Sequence, residues 1–237
     1  TPRSAGDVRR ATMRLDEIEV RRVTLPLRFP FETSFGRTTV KQFLLVSASA
    51  GGVVGHAECV ADVDPFYLPE TNVTALHVLR EFLAPVAFSL EIAHPRELLP
   101  AFARVRGHEM AKAALEMAVW ELWARRERAP LWRVLGGGIA AGVSVVLQED
   151  EAALLDKVEA EVEAGYRRVK VKIKPGRDLA PVAAIRARFP DLPLMVDANS
   201  AYTLADAGHL AGLDRFSLTM IEQPLGWDDI VDHATLQ

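Results

Sequence analysis

Apolar residues recur along this chain in two different rhythms, and the change between them divides it near residue 140. In the first part, Leu15, Ile18, Val20, Val23 and Leu25 alternate loosely and predict a strand over residues 14–25. Phe43-Leu44-Leu45-Val46 and Val53-Val54-Gly55-His56-Ala57 predict two more, joined by Ala50-Gly51-Gly52, which makes a three-stranded antiparallel meander. The stretch Leu27 to Gly36, with Pro30, Phe31 and Phe35, reads as a mobile aromatic loop. Helical spacing then takes over at residues 72–82 (Val73, Leu76, Leu79), 95–105 (Pro95 in a first turn) and 109–126. The last carries an apolar stripe of Met110, Ala113, Ala114, Met117, Trp120, Leu122 and Trp123. Pro130 and Gly136-Gly137-Gly138 end this helical region and mark a domain boundary.

After Gly142 strands and helices alternate: strands at 143–147, 168–174, 192–198 and 216–222, helices at 150–164, 178–189, 203–213 and from 228. Such units build a parallel sheet covered by helices, either doubly wound or a barrel. The second strand decides between them. In Arg168-Val169-Lys170-Val171-Lys172-Ile173-Lys174 the apolar residues share one face and the three lysines the other. A doubly wound sheet would bury the lysine face under helices. A barrel lets it point into the lumen near the carboxyl-terminal mouth, where such enzymes keep their sites. Four strands do not close an eight-stranded barrel, and a fifth would end near ~residue 247 at this period. The expected fold is therefore α/β: an α+β capping domain over residues 13–138, after a flexible tail at 1–12, then the first half of a TIM-type barrel over 139–237.

Composition changes this picture little. The 237 residues are 49% hydrophobic and 25% charged, with a net charge of -4, which is ordinary for a globular protein and gives no basis for nucleic-acid binding. No apolar run reaches the ~20 residues that span a bilayer. The single cysteine, Cys59, excludes an intrachain disulfide, fits a reducing cytoplasm and reads as a buried strand residue. The six histidines are scattered without ligand-like spacing, and Gly136-Gly137-Gly138 lacks the lysine-serine partner of a phosphate cradle.

The chemistry lies in the strand ends. Lys172 to Asp197 and Asp197 to Glu222 are both steps of 25 residues, the length of a strand, a crossover helix and their loops. Lysine, aspartate and glutamate thus fall at equivalent places on successive parallel strands. Alone, a K-x-K strand is usually a solvated face, V-D-A-N a turn and I-E-Q-P a proline turn; their equal spacing makes them one constellation. Asp197 and Glu222 supply hard oxygen ligands suited to Mg²⁺. A lysine facing such an ion suits abstraction of a proton alpha to a carboxylate, where a metal stabilises the charge that develops. The base must be neutral near pH 7, and Lys170, roughly 7 Å along the strand, is expected to lower the pKa of Lys172 by like-charge repulsion.

Arg168 to Gly176, Val196-Asp197-Ala198-Asn199-Ser200-Ala201-Tyr202-Thr203-Leu204, Ile221-Glu222-Gln223-Pro224-Leu225 and Gly107-His108-Glu109-Met110-Ala111-Lys112 resemble the o-succinylbenzoate synthase / N-succinylamino acid racemase group of the enolase superfamily. The resemblance runs over residues 13–237. It implies an enolase-like capping domain on a modified TIM barrel, Lys172 as acid/base catalyst, Lys170 supporting it and touching the substrate carboxylate, and Asp197 and Glu222 as Mg²⁺ ligands. Ser144 and Asn199 would touch substrate, and the loop Phe29 to Gly36 looks like a lid. The third acidic ligand and the second catalytic lysine of that group have no counterpart up to Gln237.

The resemblance implies a small carboxylate substrate and a homo-oligomer. It leaves open dehydration to o-succinylbenzoate, in menaquinone biosynthesis, or racemization of N-acylamino acids. A dipeptide epimerase or muconate cycloisomerase of the same superfamily is the alternative. A reading of another class is that the 237-residue chain as it stands is catalytically inert, its open sheet edges favouring aggregation or pairing.

Overall fold

A computed structural model describes residues 12–33, 36–138 and 141–237 of the chain. Most of the expected tail, the lid residues Ser34 and Phe35, and the expected boundary at Ile139 lie outside the described residues. The chain divides into two compact units: one holds the chain up to Pro26 and Val40–Gly138, the other Leu27–Thr39 and the chain after Gly138.

The first unit is built on a sheet of order β1-β2-β3, with β1 at Glu17–Glu32, β2 at Arg37–Ala50 and β3 at Val53–Cys59. β2 and β3 pair antiparallel, Ala50 opposite Val53 and Leu44 opposite Cys59. Strand β1 runs further than its sequence suggests: the expected loop from Leu27 is β-structure to Glu32. Its β-branched and aromatic residues suit a pleated strand, and two prolines are tolerated where a strand is not fully paired. Leu27–Thr39, assigned from sequence to the capping domain, groups by its contacts with the second unit.

The helices follow as α1 (Asn72–Val78), a five-residue π turn (Leu79–Leu83) and α2 (Ala84–Ser89). The π turn has a visible cause. Pro85 cannot donate a backbone hydrogen bond, and the Ala84 amide bonds back five residues to Leu79. The helix expected over 95–105 is shorter, a 3₁₀ turn and α3 (Leu98–Ala101), because Pro100 removes another donor.

Helix α4 (Glu109–Arg126) is the spine of this unit. Ala111, Ala114, Leu115, Ala118, Val119 and Leu122 bury one side of it among Leu44, Val46, Ala48 and Ala50, the alternate residues of one β2 face. Cys59 is buried in the same core, and burial pushes its thiol up. The first turn of α4 has no side-chain cap of its own. Glu70, forty residues earlier, accepts from the Met110 and Ala111 amides at 2.9 and 2.8 Å. The unit ends with α5 (Leu131–Val134).

The second unit is a parallel sheet of order β4-β5-β6-β7: Gly142–Val145, Arg168–Lys172, Leu194–Asp197 and Ile221–Glu222. Its helices are α6 (Glu151–Glu163), α7 (Leu179–Arg188), α8 (Ala207–Leu210) and α9 (Ile230–Leu236). The helix expected over 203–213 is broken into 3₁₀ turns around α8, consistent with the poor helix propensity of Gly208 and Gly212 inside it. The alternation of β5 is realised: Val169, Val171 and Ile173 are buried among Leu154 and Val158 of α6 and Val182 and Ile185 of α7. The lysine face lies opposite.

Asp178 caps α7, accepting from the Leu179 amide at 2.6 Å. Its other oxygen receives Tyr202 Oη at 2.7 Å and His209 Nε2 at 2.8 Å. Burial acts to raise its pKa, but these hydrogen bonds outweigh it and hold the carboxyl below its usual value. Tyr202 is pushed well above the ordinary phenol range by burial and by the Asp178 charge. Among the described residues no helix is long and apolar enough to cross a membrane.

Two outcomes follow from this packing. A methyl group on Gly55 would overlap backbone atoms Leu122 N and Ala118 O of α4, so Gly55→Ala forces strand and helix apart. It should destabilise the protein by about 2 kcal/mol or more, read as a lower urea midpoint with unchanged slope. Asp178 titrates lower in the folded than in the unfolded chain, where an aspartate has a pKa of ~3.9. Its stabilisation is therefore complete above about pH 4 and lost as the pH falls through the folded value. Asp178→Asn should lower stability at pH 7 and flatten the fall below pH 4 in a series of urea titrations.

Candidate active site

Register brings the charged residues of the second unit onto one sheet face. Lys172 pairs with Asp197, and Asp197 with Glu222, in one row across β5, β6 and β7. Two residues back, Ser144 pairs with Lys170, so its side chain points to the same face. Each carboxylate is the last residue of its strand. All six residues singled out from the sequence thus belong to this sheet and the loops leaving it.

Two ammonium groups meet two carboxylates there. Lys172 Nζ donates to Asp197 Oδ2 at 2.6 Å and to Asn199 Oδ1 at 2.8 Å. Lys170 Nζ stands 3.2 Å from the same Asp197 oxygen and 3.1 and 3.3 Å from the two oxygens of Glu222. Lys172 and Asp197 are 6% and 1% exposed, so this charge is almost wholly out of water. Ser144 lies at the exposed edge of the group.

Burial acts to raise the Asp197 carboxyl, but Lys172, the Asn199 amide and Lys170 together hold it below the usual range. Burial acts to lower Lys170, but hydrogen bonds and charge from Glu222 and Asp197 win, and its pKa is raised. The lysine face was expected to be governed by like-charge repulsion. For Lys170 the opposite effect dominates, because each ammonium has a carboxylate as its nearest charge.

The backbone leaving these strands is unusual. Asn199, Ser200 and Gln223 have φ of 46°, 62° and 43°, left-handed values that residues with side chains seldom adopt. The bend turns Asn199 back so that its amide donates to Asp197 Oδ1 at 2.9 Å while its side chain meets Lys172. Residues of the β1 end also reach this group. The Phe31 ring centroid is 5.9 Å from Lys172 Nζ, and Glu32 Oε1 is 3.6 Å from Lys174 Nζ. The sequence marked Phe31 only as part of an aromatic loop, and nothing in it tied Phe31 to Lys172.

Asp197 and Glu222 offer adjacent hard oxygen donors, a set that suits Mg²⁺, which keeps several waters and often takes only one or two carboxylates from the protein. Among the described residues no group of three or more His, Cys, Asp or Glu side chains stands ready as a complete cage.

Comparison with known proteins agrees with this architecture. Residues 16–136 match the mandelate racemase / muconate lactonizing enzyme N-terminal domain, and residues 153–237 match the enolase C-terminal domain-like family. The chain is 50% identical over 227 residues to an o-succinylbenzoate synthase of Geobacillus kaustophilus, an alignment covering 94% of this chain and 60% of the relative. It is 44% identical over 228 residues to an N-succinylamino acid racemase of Thermus thermophilus, covering 95% of this chain and 62% of the relative. The crystal structure of an enolase superfamily member from Listeria innocua superposes with a TM-score of 0.87 at 41% identity, over 95% of this chain and 62% of the other. The chain thus spans about three-fifths of the length of these relatives. Both family matches fall on the two units that carry the sheet β1-β2-β3 and the lysine–carboxylate face, and on that ground the chain belongs to the mandelate racemase / muconate lactonizing enzyme branch of the enolase superfamily.

Proposed function

We propose that this protein abstracts a proton alpha to a carboxylate with the aid of Mg²⁺, acting on substrates of the o-succinylbenzoate synthase and N-succinylamino acid racemase class. The observation that carries the reading is Lys172 Nζ, buried, fixed by Asp197 and Asn199, and on one face with Glu222. High identity to enzymes of both names supports it.

In this reading Lys172 takes the alpha proton onto Nζ and returns it, or passes it to a leaving hydroxide in a dehydration. Proton transfer needs the neutral amine. Asp197 Oδ2 is shared between Lys172 Nζ at 2.6 Å and Lys170 Nζ at 3.2 Å. Lys170, less buried than Lys172, binds the substrate carboxylate, which would replace Glu222 as its partner. Asn199 orients Lys172, and Ser144, at the exposed edge, touches the substrate. The Phe31 ring lies 5.9 Å from Lys172 Nζ.

Asp197 and Glu222 would hold the ion. When bound, Mg²⁺ supplies Lewis-acid stabilisation of the negative charge that develops on the substrate carboxylate. The substrate is a small carboxylate, and the chain works as a homo-oligomer in the cytoplasm.

The direct test is exchange of the alpha proton of N-succinyl amino acids in deuterated buffer with Mg²⁺. Lys172→Ala should slow it by at least about 10²-fold, and exchange at the wild-type rate would remove Lys172 as the base. Parallel assays with the o-succinylbenzoate precursor, dipeptides and muconate separate the synthase and racemase outcomes from the epimerase and cycloisomerase ones. Glu222→Gln should weaken Mg²⁺ binding at least about tenfold in calorimetric titration, since loss of even an outer-shell partner has that effect.

A further inference from the structure

Asp178 and Tyr202 form a buried pair, joined from the surface by the exposed His209, that the reaction above does not use. Asp178 and Tyr202 are only 5% and 4% exposed, so their hydrogen bond lies in a low-dielectric setting where it is stiff. All donors reach one carboxylate: the Leu179 amide on Oδ1, Tyr202 Oη and His209 Nε2 on Oδ2. The His209 ring stacks on Tyr202, centroids 6.4 Å apart.

The positions of the two ends give the cluster its meaning. Asp178 ends the loop that leaves β5, the strand of Lys170 and Lys172. Tyr202 ends the bend that leaves β6, the segment of Asn199 and Ser200 with its two successive left-handed residues. Those residues hold a costly backbone conformation, which persists only where the surroundings impose it. On one side the bend is tied to the chain leaving β7, by Ser200 N to Gln223 O at 2.7 Å and Tyr202 N to Pro224 O at 3.0 Å. On the other side the tie to the β5 loop is Tyr202 Oη on Asp178. The bend meets β5 itself at the site, through Lys172 Nζ on Asn199 Oδ1.

We propose that Asp178 and Tyr202 are a positioning pair that locks the Asn199–Ser200 bend against the β5 loop and so holds Asn199 on Lys172. Neither side chain touches the reacting atoms. His209 completes the carboxylate's hydrogen bonds and braces the Tyr202 ring. The role in catalysis rests on the reading of Lys172 given above; the mechanical role does not.

Tyr202→Phe removes the Oη bond alone. It keeps the ring, the stack on His209 and the cap of Asp178 on Leu179. Two measurements on it decide the proposal. Amide hydrogen exchange at Asn199 and Ser200 should accelerate about tenfold or more, and clearly more than the general increase that loss of one buried hydrogen bond brings to the strand amides of β5 and β6. Under saturating substrate, kcat should fall about 10-fold to 100-fold with KM changed much less, the size expected when support behind a site residue is lost. Asp178→Asn should act on the same two readouts, and the double variant should be no worse than the worse single one.

Unchanged exchange in the bend, or acceleration spread evenly over the molecule, overturns the pair as a lock. Faster local exchange with an unchanged kcat overturns its part in catalysis. If the unsubstituted protein moves no alpha proton at all, the reading of Lys172 as a base fails, and the exchange measurement alone decides the lock. Should Asp178→Asn not fold, Tyr202→Phe still gives both readouts.

Discussion

The ion pair of Lys172 with Asp197 joins two charges that the fold has taken almost wholly out of water. Removing an ammonium or a carboxylate from water is costly, and the cost is met only where each charge has a close partner and its remaining hydrogen-bonding positions are used. Here they are used. Asp197 receives Lys172 and Lys170 on one oxygen and the Asn199 amide on the other. Lys172 has Asn199 as its second acceptor. Much of the second unit can be read as what this pair requires: a parallel sheet that sets lysine beside aspartate, helices that keep water from the back of β5, and a strained bend that returns Asn199 to the lysine.

The balance of charge also accounts for the chemistry proposed. Two positive and two negative groups on one face are close to neutral as they stand. A divalent cation taken up by Asp197 and Glu222, and a substrate carboxylate taken up by Lys170, would add opposite charges to a site that already holds both signs. The arrangement therefore suits a reaction in which negative charge grows on a bound carboxylate, and it disfavours occupation by either partner alone. Asp178 and Tyr202 add the other requirement of such a site, which is that its polar groups be held still.

Much of this was legible in the sequence, and for identifiable reasons. Side chains alternate along a strand, so the burial of Val169, Val171 and Ile173 and the opposite placement of the lysines follow from their spacing. The equal steps to Asp197 and Glu222 follow from the near-constant length of a strand and its crossover. Helix α4 was legible as a helix, but its buried side runs through Ala111, Leu115, Ala118 and Val119, whereas Met117, read from the sequence as part of the apolar stripe, is exposed. What was not legible depends on lateral neighbours that no local pattern encodes. The Glu70 cap on α4, the approach of Phe31 to Lys172 and the preference of Lys170 for two carboxylates over repulsion by Lys172 all arise between distant segments. Asp178 lay between these cases. A Pro-Gly turn followed by aspartate before a helix is a cap signal, but its partner Tyr202, 24 residues on, became visible only when the strands were laid side by side.

The central claim is that Asp197 and Glu222 share one divalent ion while Lys172 keeps its place beside them. A crystal structure of the protein grown with Mn²⁺, located by its anomalous scattering, tests it most directly. The account predicts one peak bound by both carboxylates, with Lys170 drawn off them and Lys172 still on Asn199. A peak elsewhere with both carboxylates still on the lysines, or side chains of Lys172, Asp197 and Glu222 pointing away from a common centre, would contradict it.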